Sequence, residues 1–370
     1  MKVLEFLKEH TLQELIDTFK LDARLYEDRV VLNYNQINSP KHDPVVKECR
    51  SLILSLPDFN VLSRSFDRFF NYLEDPEHMQ FDIMDAICFQ KIDGSIINVY
   101  FDGKNWEAST RKMAFAEGET ALGHTYRNLF EEALGGKVDD IFSKLKMNDR
   151  YTYIFEFVSP ETRIVTRYRE KDVYLLNVRD KQTGRDVPRS IIKQYALELG
   201  VNVKMPAEFR FKTVDDVMES LGELPALDEG YVCYDPYTEK RIKIKNPSYL
   251  AVAHLRENGV ISTKRVVLLV CLQDHEEYLV SFEEDRSLFE PYIKAYDFML
   301  EYVGELAKKT SHIKDRKEFA LAVRGPAQHL MFGIRDGKDF TSLISKMTDN
   351  SKERMLVGFK KEMEMEKKKC

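Results

Sequence analysis

The chain has 370 residues, of which 43% are hydrophobic and 32% charged, and its formal net charge is −6. This length allows two domains with a sizeable core, and the acidic balance argues against a broad, nonspecific DNA-coating protein, which is often basic. No apolar run approaches the ~20 residues that cross a bilayer, and residues 1–20 mix charges with leucines, so the sequence predicts a cytoplasmic protein with no membrane partner.

The N-terminal part predicts one helix and then a series of strands. Thr11 followed by Glu14 resembles a capping box, and apolar residues continue at helical spacing to Phe19. From about residue 29 to residue 250, short β-branched and aromatic runs recur between turn signals; they are Ser51–Leu56, Ile96–Phe101, Tyr151–Val158, Val173–Val178, Gly230–Tyr234 and Arg241–Lys245. Phe101–Lys104 predicts a hairpin turn, and helices are predicted at Glu117–Leu134 and Arg189–Leu199. This pattern predicts an α+β fold with much antiparallel sheet.

After about residue 250 the strand pattern fades. Apolar residues recur at helical spacing between Leu288 and Leu306, across Phe319–Val323 and up to Phe359. The tail, residues 360–370, alternates Lys, Glu and Met and predicts a solvated helix end. We therefore expect two domains, residues 1–254 and residues 255–370, the second of them all-helical. The five cysteines are scattered without a CxxC pair, which favours reduced thiols over disulfides or a structural zinc site.

The sharpest chemical signal is the run Lys91–Ser95, which reads Lys-Ile-Asp-Gly-Ser and precedes an apolar strand. A lysine at the mouth of a strand, followed by Asp-Gly, is typical of a nucleophilic amine, and Gly94 would let the backbone turn and let a phosphate come close. A free amine with a pKa near ~10.4 is almost fully protonated at neutral pH, so neighbouring cations or a metal would have to lower that pKa. A surface lysine before a hairpin turn is the ordinary alternative.

Charged residues also lie on three other predicted strands. In Arg241–Lys245, alternation places Lys243 and Lys245 on one face, where a phosphate could sit between them; a solvated edge strand is the alternative. Glu156 and Glu229 lie in or beside apolar strands, where a carboxylate needs an ion pair, a metal or a hydroxyl partner. Both are candidate magnesium ligands, because Mg²⁺ is usually held by one or two carboxylates and phosphate oxygens.

A scattered set of arginines completes the candidate site: Arg50, Arg64, Arg68 and Arg111. Arg68 precedes Phe69 and Phe70, and an aromatic ring beside a cation suits a stacked base with its phosphate. Phenylalanines are nevertheless more often part of a core than a platform for a base.

The order of these motifs resembles the covalent nucleotidyltransferase superfamily of ligases and mRNA capping enzymes. Longer strings are similar to the phage RNA ligase 1 family and lie between about residues 30 and 250; they are Glu48–Arg50, Phe69–Asn71, Phe155–Pro160, Arg163–Val165, Leu175–Arg179 and Arg241–Lys245. The resemblance implies a nucleotidyltransferase (adenylyltransferase) domain with antiparallel sheets over residues 1–254. It also implies a helical C-terminal domain, over residues 255–370, that is directed at RNA and resembles a tRNA-directed module.

The resemblance further implies a three-step RNA ligation that uses ATP and Mg²⁺, with Mn²⁺ as an alternative. In this family the residue matching Lys91 is the nucleophile that carries AMP. The nucleotide-contacting residues implied by the resemblance are Tyr34, Arg50, Arg68, Phe70, Arg111, Glu156, Lys243 and Lys245, and the implied metal residues are Glu156, Glu229 and Asp274.

Two positions depart from the family pattern. Arg68 stands where a lysine is expected, which keeps the charge but changes the contact geometry. Asp274 is followed by His275 where the family has an acidic pair.

The resemblance predicts as partner an RNA with 5′-phosphate and 3′-hydroxyl ends, with cleaved tRNA as a candidate. We expect a monomer in the cytoplasm, which is the host cytoplasm if the protein is phage-encoded. The alternatives are a capping guanylyltransferase or DNA ligase on the same core, and a noncatalytic RNA-binding module.

Overall fold

The computed structural model describes residues 1–74, 81–225, 227–253, 255–257 and 260–367. The chain divides into two compact units, Met1–His254 and Leu255–Cys370. Within the described ranges, none of the helices has both the length and the apolar character that crossing a bilayer requires. The predicted fold class, α+β with antiparallel sheets followed by a helical region, is confirmed.

The first unit alternates short helices with strands. Its helices are α1 (Lys2–Leu7), α2 (Leu12–Phe19), α3 (Pro44–Glu48), α4 (Tyr126–Leu134), α5 (Val138–Lys144), α6 (Arg189–Leu199), α7 (Val214–Glu223) and α8 (Pro247–Ala253). Its strands are β1 (Leu21–Leu25), β2 (Arg29–Tyr34), β3 (Arg50–Ser55), β4 (Val61–Ser63), β5 (Phe70–Asn71), β6 (Ile87–Gln90), β7 (Ser95–Phe101), β8 (Trp106–Ser109), β9 (Tyr151–Val158), β10 (Asp172–Asp180), β11 (Val203–Lys204), β12 (Glu208–Phe209), β13 (Gly230–Tyr234) and β14 (Arg241–Lys245).

The strands of the first unit form three sheets. One has the antiparallel order β1-β2-β3-β4; the second has the order β11-β10-β9-β7-β8, and the third β12-β6-β13-β14-β5. The chain crosses from the third sheet to the second between β6 and β7, through the four residues Lys91–Gly94. Strand β14 pairs antiparallel with β13 and parallel with β5, where Lys243 lies opposite Asn71. This crossover brings the Lys91 turn between the two five-stranded sheets.

The second sheet carries the largest aromatic core of the first unit. Alternate residues of β9 point to one face, where Tyr153, Phe155 and Phe157 are fully buried. They pack with Phe130 of α4 and Phe142 of α5. Fully burying a phenylalanine side chain contributes about 1.5–3 kcal/mol, so this cluster holds β9 firmly in place. Glu156 lies on the opposite face of the same strand.

Several local predictions are confirmed. Helix α2 begins after Thr11 with both hydrogen bonds of the capping box to Glu14, α6 has the predicted bounds, and β7 and β8 form the predicted hairpin. The helix predicted at Glu117–Leu134 is wrong in its first half. Thr125 caps α4, so the helix begins only at Tyr126, because Gly123 has a φ of 82° and the preceding chain forms a turn.

The second unit is helical apart from a short ribbon at its start. The ribbon pairs β15 (Arg256–Glu257) with β16 (Val260–Ile261), so the expectation of an all-helical domain needs this correction. The helices are α9 (Thr263–Leu272), α10 (His275–Ser281), α11 (Arg286–Thr310), α12 (Arg316–Ala322), α13 (Gln328–Arg335), α14 (Phe340–Lys346) and α15 (Asp349–Lys367). The long α11 packs against α9 and α15.

The cysteines depart from the sequence-based prediction at one pair. Cys88 on β6 and Cys233 on β13 are directly opposite each other and form a disulfide. They are 145 residues apart in sequence, so the pair has no local signal, and the expectation of reduced thiols throughout is wrong here. Cys49 and Cys271 are free and buried.

Candidate active site

The Lys91 turn is held by backbone contacts to two other strands. The backbone N–H of Lys91 donates to the carbonyl of Gly230, at 2.8 Å, which places the turn beside β13. On the other side, a Cβ at position 94 would collide with the carbonyl oxygen of Phe157 on β9. Glycine is therefore required at position 94 by this close approach of the two backbones, which brings Lys91 next to the strand that carries Glu156.

Asp93 fixes the same turn through its side chain. The residue is 4% exposed, and its Oδ2 accepts hydrogen bonds from the backbone N–H groups of Val165 (2.9 Å) and Thr166 (2.7 Å). Its Oδ1 accepts the hydroxyl hydrogen of Tyr249, at 2.8 Å. Both carboxylate oxygens are thus used in holding structure, and Asp93 acts as a positioning residue for the turn.

Removing this carboxylate is expected to destabilise the first unit. Asp93→Ala leaves two buried N–H donors and one hydroxyl without a partner, which costs about 2–4 kcal/mol of unfolding free energy. Asp93→Asn keeps one acceptor oxygen for the two N–H groups. Its loss of unfolding free energy should be about half that of Asp93→Ala. Urea unfolding followed by circular dichroism measures both values. Equal stability of wild type and Asp93→Ala would show that these hydrogen bonds do not hold the turn.

Lys91 shares one carboxylate with a second lysine. Its Nζ lies 2.5 Å from Oε2 of Glu229, and Nζ of Lys245 lies 2.8 Å from Oε1 of the same residue. Glu229 is 4% exposed. The next residue, Gly230, has a φ of 120°, and a Cβ there would collide with the backbone of β14, so glycine is required for Glu229 to reach both lysines.

The protonation of this group differs from the sequence-based expectation. Burial lowers the pKa of Lys91, but the carboxylates of Glu229 and Glu156 outweigh burial and raise that pKa above its ordinary value. Burial likewise opposes the charge on Glu229, yet Lys91 and Lys245 hold the pKa of Glu229 below its usual range. In the protein without nucleotide, the pKa of Lys91 is therefore not lowered. Its amine is protonated and paired with Glu229.

A cavity of about 440 Å³ opens beside Lys91. Its charged lining residues are Arg50, Lys91, Glu156, Asp186, Arg189, Glu239, Arg241, Lys243 and Lys245. Its apolar wall includes Phe69, Phe89, Leu176, Ile192 and Val232. Alternate residues of β14 face this cavity, as the sequence alternation predicts. A charged wall joined to an apolar one fits a phosphate attached to an aromatic ring system.

Two groups at the charged wall have pKa values near neutrality. Burial, together with Arg50, Lys91 and Lys245, lowers the pKa of Lys243 to about 7. Burial raises the pKa of Glu156 to about 7, although Lys91 opposes this shift. Among the described residues, Glu156 has no hydrogen bond and no ion pair to the protein. Because Lys243 and Glu156 both have a pKa of about 7, the charge of the cavity changes around pH 7.

These pKa values predict how the affinity for a triphosphate depends on pH. A bound phosphate stabilises the charged form of Lys243, so binding is tightest below pH 7 and weakens as pH rises through that value. Ionisation of Glu156 as the pH rises also weakens binding. Each of the two groups changes the Kd by at most about tenfold per pH unit. Calorimetry checks this pH dependence. It measures the Kd for a nonhydrolysable ATP analogue between pH 6.5 and 8.5, a range of roughly two units that includes the pKa. Lys243→Gln and Glu156→Gln should each flatten the profile; a profile unchanged in Lys243→Gln would contradict the assignment.

Four further predicted residues, Tyr34, Arg68, Phe70 and Arg111, form a separate cluster of arginines and aromatic rings. The guanidinium carbons of Arg68 and Arg111 lie 4.1 Å and 4.7 Å from the ring centre of Tyr34. Arg68 also lies over the ring of Phe70, at 5.3 Å, and with Phe70 it lines a neighbouring cavity of about 180 Å³. Arg50, Arg68 and Arg111 each carry a buried N–H group that has no hydrogen-bond partner among the residues that the structure describes. Such donors need an acceptor, which a phosphate would supply.

The structure thus divides the predicted residues into groups. Lys91, Arg50, Glu156, Lys243 and Lys245 line one cavity, and Glu229 joins it through its two lysines. Arg64 instead belongs to a buried ion-pair network with Glu48 and Asp67.

Apart from Phe69, sequence reasoning missed the residues of the apolar wall. Phe89 and Val232 lie opposite each other on β6 and β13, and Leu176 belongs to β10. The alternation that places Lys91 and Phe89 on the same side of the chain was the available signal for Phe89. Phe69 lies beside two cavity cations, 5.2 Å from Arg50 and 4.9 Å from Lys243.

Asp274 lies in the second unit, immediately before α10. Its role as a metal residue stays a prediction. Within the described part of the chain, no three His, Cys, Asp or Glu side chains are grouped as a metal site would require.

Comparison with known proteins identifies one sequence family. The pattern that defines the RNA ligase family matches residues 48–249, more than half of the 370-residue chain. A protein of Autographa californica nuclear polyhedrosis virus, named a bifunctional polynucleotide kinase/RNA ligase, is 32% identical over 313 residues, which are 80% of this chain and 44% of the viral protein. The chain therefore spans less than half the length of that relative.

An RNA ligase of Rhodothermus phage RM378 is 25% identical over 297 residues, which are 65% of this chain and 67% of the phage protein. Among solved structures, an archaeal ATP-dependent RNA ligase aligns with a TM-score of 0.47 and 13% identity, covering 88% of this chain and 79% of the archaeal one.

Proposed function

The chain belongs to the RNA ligase family, and on this premise we propose that it is an ATP-dependent RNA ligase that joins 5′-phosphate and 3′-hydroxyl RNA ends. The observation that carries the proposal is the pairing of Lys91 and Lys245 with one buried carboxylate, Glu229, beside a cavity that joins a cationic wall to an apolar one. A nucleophilic amine, phosphate-binding cations and a space for a base are the parts that nucleotidyl transfer requires.

In the first step, Nζ of Lys91 attacks the α-phosphorus of ATP. The N–P bond forms, the bond to the bridging oxygen breaks, and pyrophosphate leaves. The Lys91 ammonium must lose two protons. The first passes to Glu229, whose Oε2 already lies in hydrogen-bond contact with Nζ, and the second passes to solvent water once the N–P bond has formed. Lys243 and Lys245 stabilise the charge that develops on the α-phosphate.

Two further transfers complete the reaction. The AMP moves from Lys91 to the 5′-phosphate of an RNA end, which regenerates the free amine and gives a 5′–5′ pyrophosphate linkage. The 3′-hydroxyl of the second RNA end then attacks the RNA phosphate, and AMP leaves with the electron pair of the broken P–O bond.

The residues present fit a divalent cation that is held largely by the nucleotide itself. Glu156 is a carboxylate on the cavity wall without a partner among the described residues, and Mg²⁺ is often bound by one or two carboxylates plus phosphate oxygens. When bound, Mg²⁺ or Mn²⁺ would neutralise phosphate charge, while the chain's own residues hold and orient the nucleotide.

The proposal is tested by incubating the protein with α-labelled ATP or GTP and then with RNA. We expect label to become attached to the protein from ATP, to be released by pyrophosphate, and to move to an RNA that carries a 5′-phosphate. Labelling by GTP and not by ATP would support a capping guanylyltransferase. Sealing of nicked DNA and not of RNA would support a DNA ligase, and the absence of any label would support a noncatalytic RNA-binding module.

We also propose a finer role, which is RNA repair by a cytoplasmic monomer. Its substrate would be a cleaved tRNA, and the second unit would select that tRNA. Two basic residues of this unit, Lys294 and Lys309, pair with glutamates one turn away on α11. RNA selection would therefore rest on other residues of the unit.

A further inference from the structure

The loop between β9 and β10 is tied to both sides of the Lys91 site. The N–H groups of Val165 and Thr166 donate to Asp93, and the backbone N–H of Asp93 donates to the hydroxyl of Tyr168, at 3.2 Å. The hydroxyl of Thr166 donates to the carbonyl of Leu227, at 2.7 Å. The loop is thus anchored two residues after Lys91 and two residues before Glu229.

Arg167 lies between these anchors and is itself unengaged. Both neighbours, Thr166 and Tyr168, are fixed by the hydrogen bonds above, whereas Arg167 is exposed. Across the described ranges its side chain has no hydrogen bond, ion pair or ring contact, and the same holds for exposed Arg169. Neither arginine lines the 440 Å³ cavity. Arg167 therefore adds a positive charge beside the site that neither the fold nor the nucleotide cavity uses.

We propose that Arg167, with Arg169 beside it, binds the sugar-phosphate backbone of the single-stranded RNA end that receives AMP from Lys91. The inference rests on the proposed function, because it names where that substrate lies. The cations inside the cavity bind the nucleotide. A ligand that contacts Arg167 must therefore extend beyond the cavity. RNA is a polyanion, and arginine binds phosphate through a planar fork of donors.

The anchoring also explains why an exposed arginine can position a substrate. A residue on a freely moving loop would lose conformational entropy on binding, whereas both neighbours of Arg167 are already held, Thr166 by its backbone N–H and hydroxyl and Tyr168 by its hydroxyl. Because the anchoring hydrogen bonds join the loop to Asp93 and to Leu227, Arg167 keeps a constant position relative to Lys91 and Glu229. A contact to RNA phosphate made there orients the 5′-phosphate towards the adenylated lysine.

The test compares Arg167→Ala and Arg167→Lys with Lys104→Ala, which removes one exposed charge from the β7–β8 turn. Binding of a 5′-phosphorylated, single-stranded oligoribonucleotide is measured by fluorescence anisotropy at several salt concentrations. For Arg167→Ala we expect the Kd at low salt to rise roughly tenfold and the slope of log K against log salt to fall by about 0.7, the value for one phosphate contact on a single strand. Arg167→Lys should recover much of the affinity, and Lys104→Ala should bind as wild type.

A second measurement separates RNA from ATP. The rate of label transfer from ATP to the protein, without RNA, should be unchanged in Arg167→Ala, and transfer of AMP to the oligonucleotide should be slowed at subsaturating RNA. An unchanged Kd and salt slope, a Kd for Arg167→Lys equal to that of Arg167→Ala, or a slowed first step would each overturn the assignment. If wild type takes no label from ATP, the proposed function fails, and the anisotropy experiment still decides whether Arg167 binds RNA.

Discussion

Lys91→Ala is expected to abolish transfer of label from α-labelled ATP to the protein. No other lysine of the site can replace it, because Lys243 and Lys245 lie on β14 and only Lys91 lies on the turn between the two sheets. Loss of a nucleophile reduces the rate of such reactions to below about one thousandth of the wild-type value. Label on the protein after gel electrophoresis measures the effect, and mass spectrometry of the wild type identifies the modified residue.

The same variant should still seal an RNA that already carries the 5′-adenylate, because the third step does not use the amine. Lys91→Ala removes one partner of Glu229 and leaves the other, Lys245, in place, so the fold should survive; circular dichroism checks this. AMP on another lysine of the wild type, or normal labelling of Lys91→Ala, would refute the assignment.

Lys245→Ala is expected to slow formation of the lysyl-AMP adduct by about 100-fold or more. Two effects act together. The variant loses a preorganised cation for the α-phosphate. It also leaves Glu229 paired with Lys91 alone, which strengthens the hold of the carboxylate on the ammonium proton and raises the pKa of the nucleophile further. The single-turnover rate of labelling at saturating ATP should therefore fall much more than the affinity for ATP.

The matched control is Lys212→Ala, which removes an exposed lysine that lines neither cavity. It should label at the wild-type rate. Raising the pH should partly restore Lys245→Ala, because a higher pH deprotonates Lys91 in spite of Glu229. If Lys245→Ala labels as fast as wild type, the lysine does not act on the α-phosphate, and its role is confined to the ion pair.

Local chemistry made parts of the site predictable. The Lys91–Ser95 run precedes an apolar strand, and its Asp-Gly pair marks a break between two strands. The alternation of Arg241–Lys245 places Lys243 and Lys245 on one face because successive side chains of a strand point to opposite sides. The helices α2 and α6 follow from apolar spacing and end signals that lie within the helices themselves.

Only the tertiary structure decided which of these groups meet. Lys91 and Glu229 are 138 residues apart in sequence, so their contact depends on the antiparallel register of β6 with β13. The raised pKa of Lys91 and the lowered pKa of Lys243 follow from that arrangement, since both depend on which charges are buried together. The use of Asp93 as an anchor for a distant loop likewise has no local signal.

The sequence by itself determined the fold class, several of the strands and helices, and a set of residues suited to nucleotide chemistry, because turn formation and side-chain periodicity act over a few residues. The register of the sheets determined the rest: the Cys88–Cys233 disulfide, the separate cluster of Arg68 and Arg111 around Tyr34, and the position of Arg167. Packing and electrostatic interactions between distant segments arise only when strands pair in one particular order, and no local pattern specifies that order.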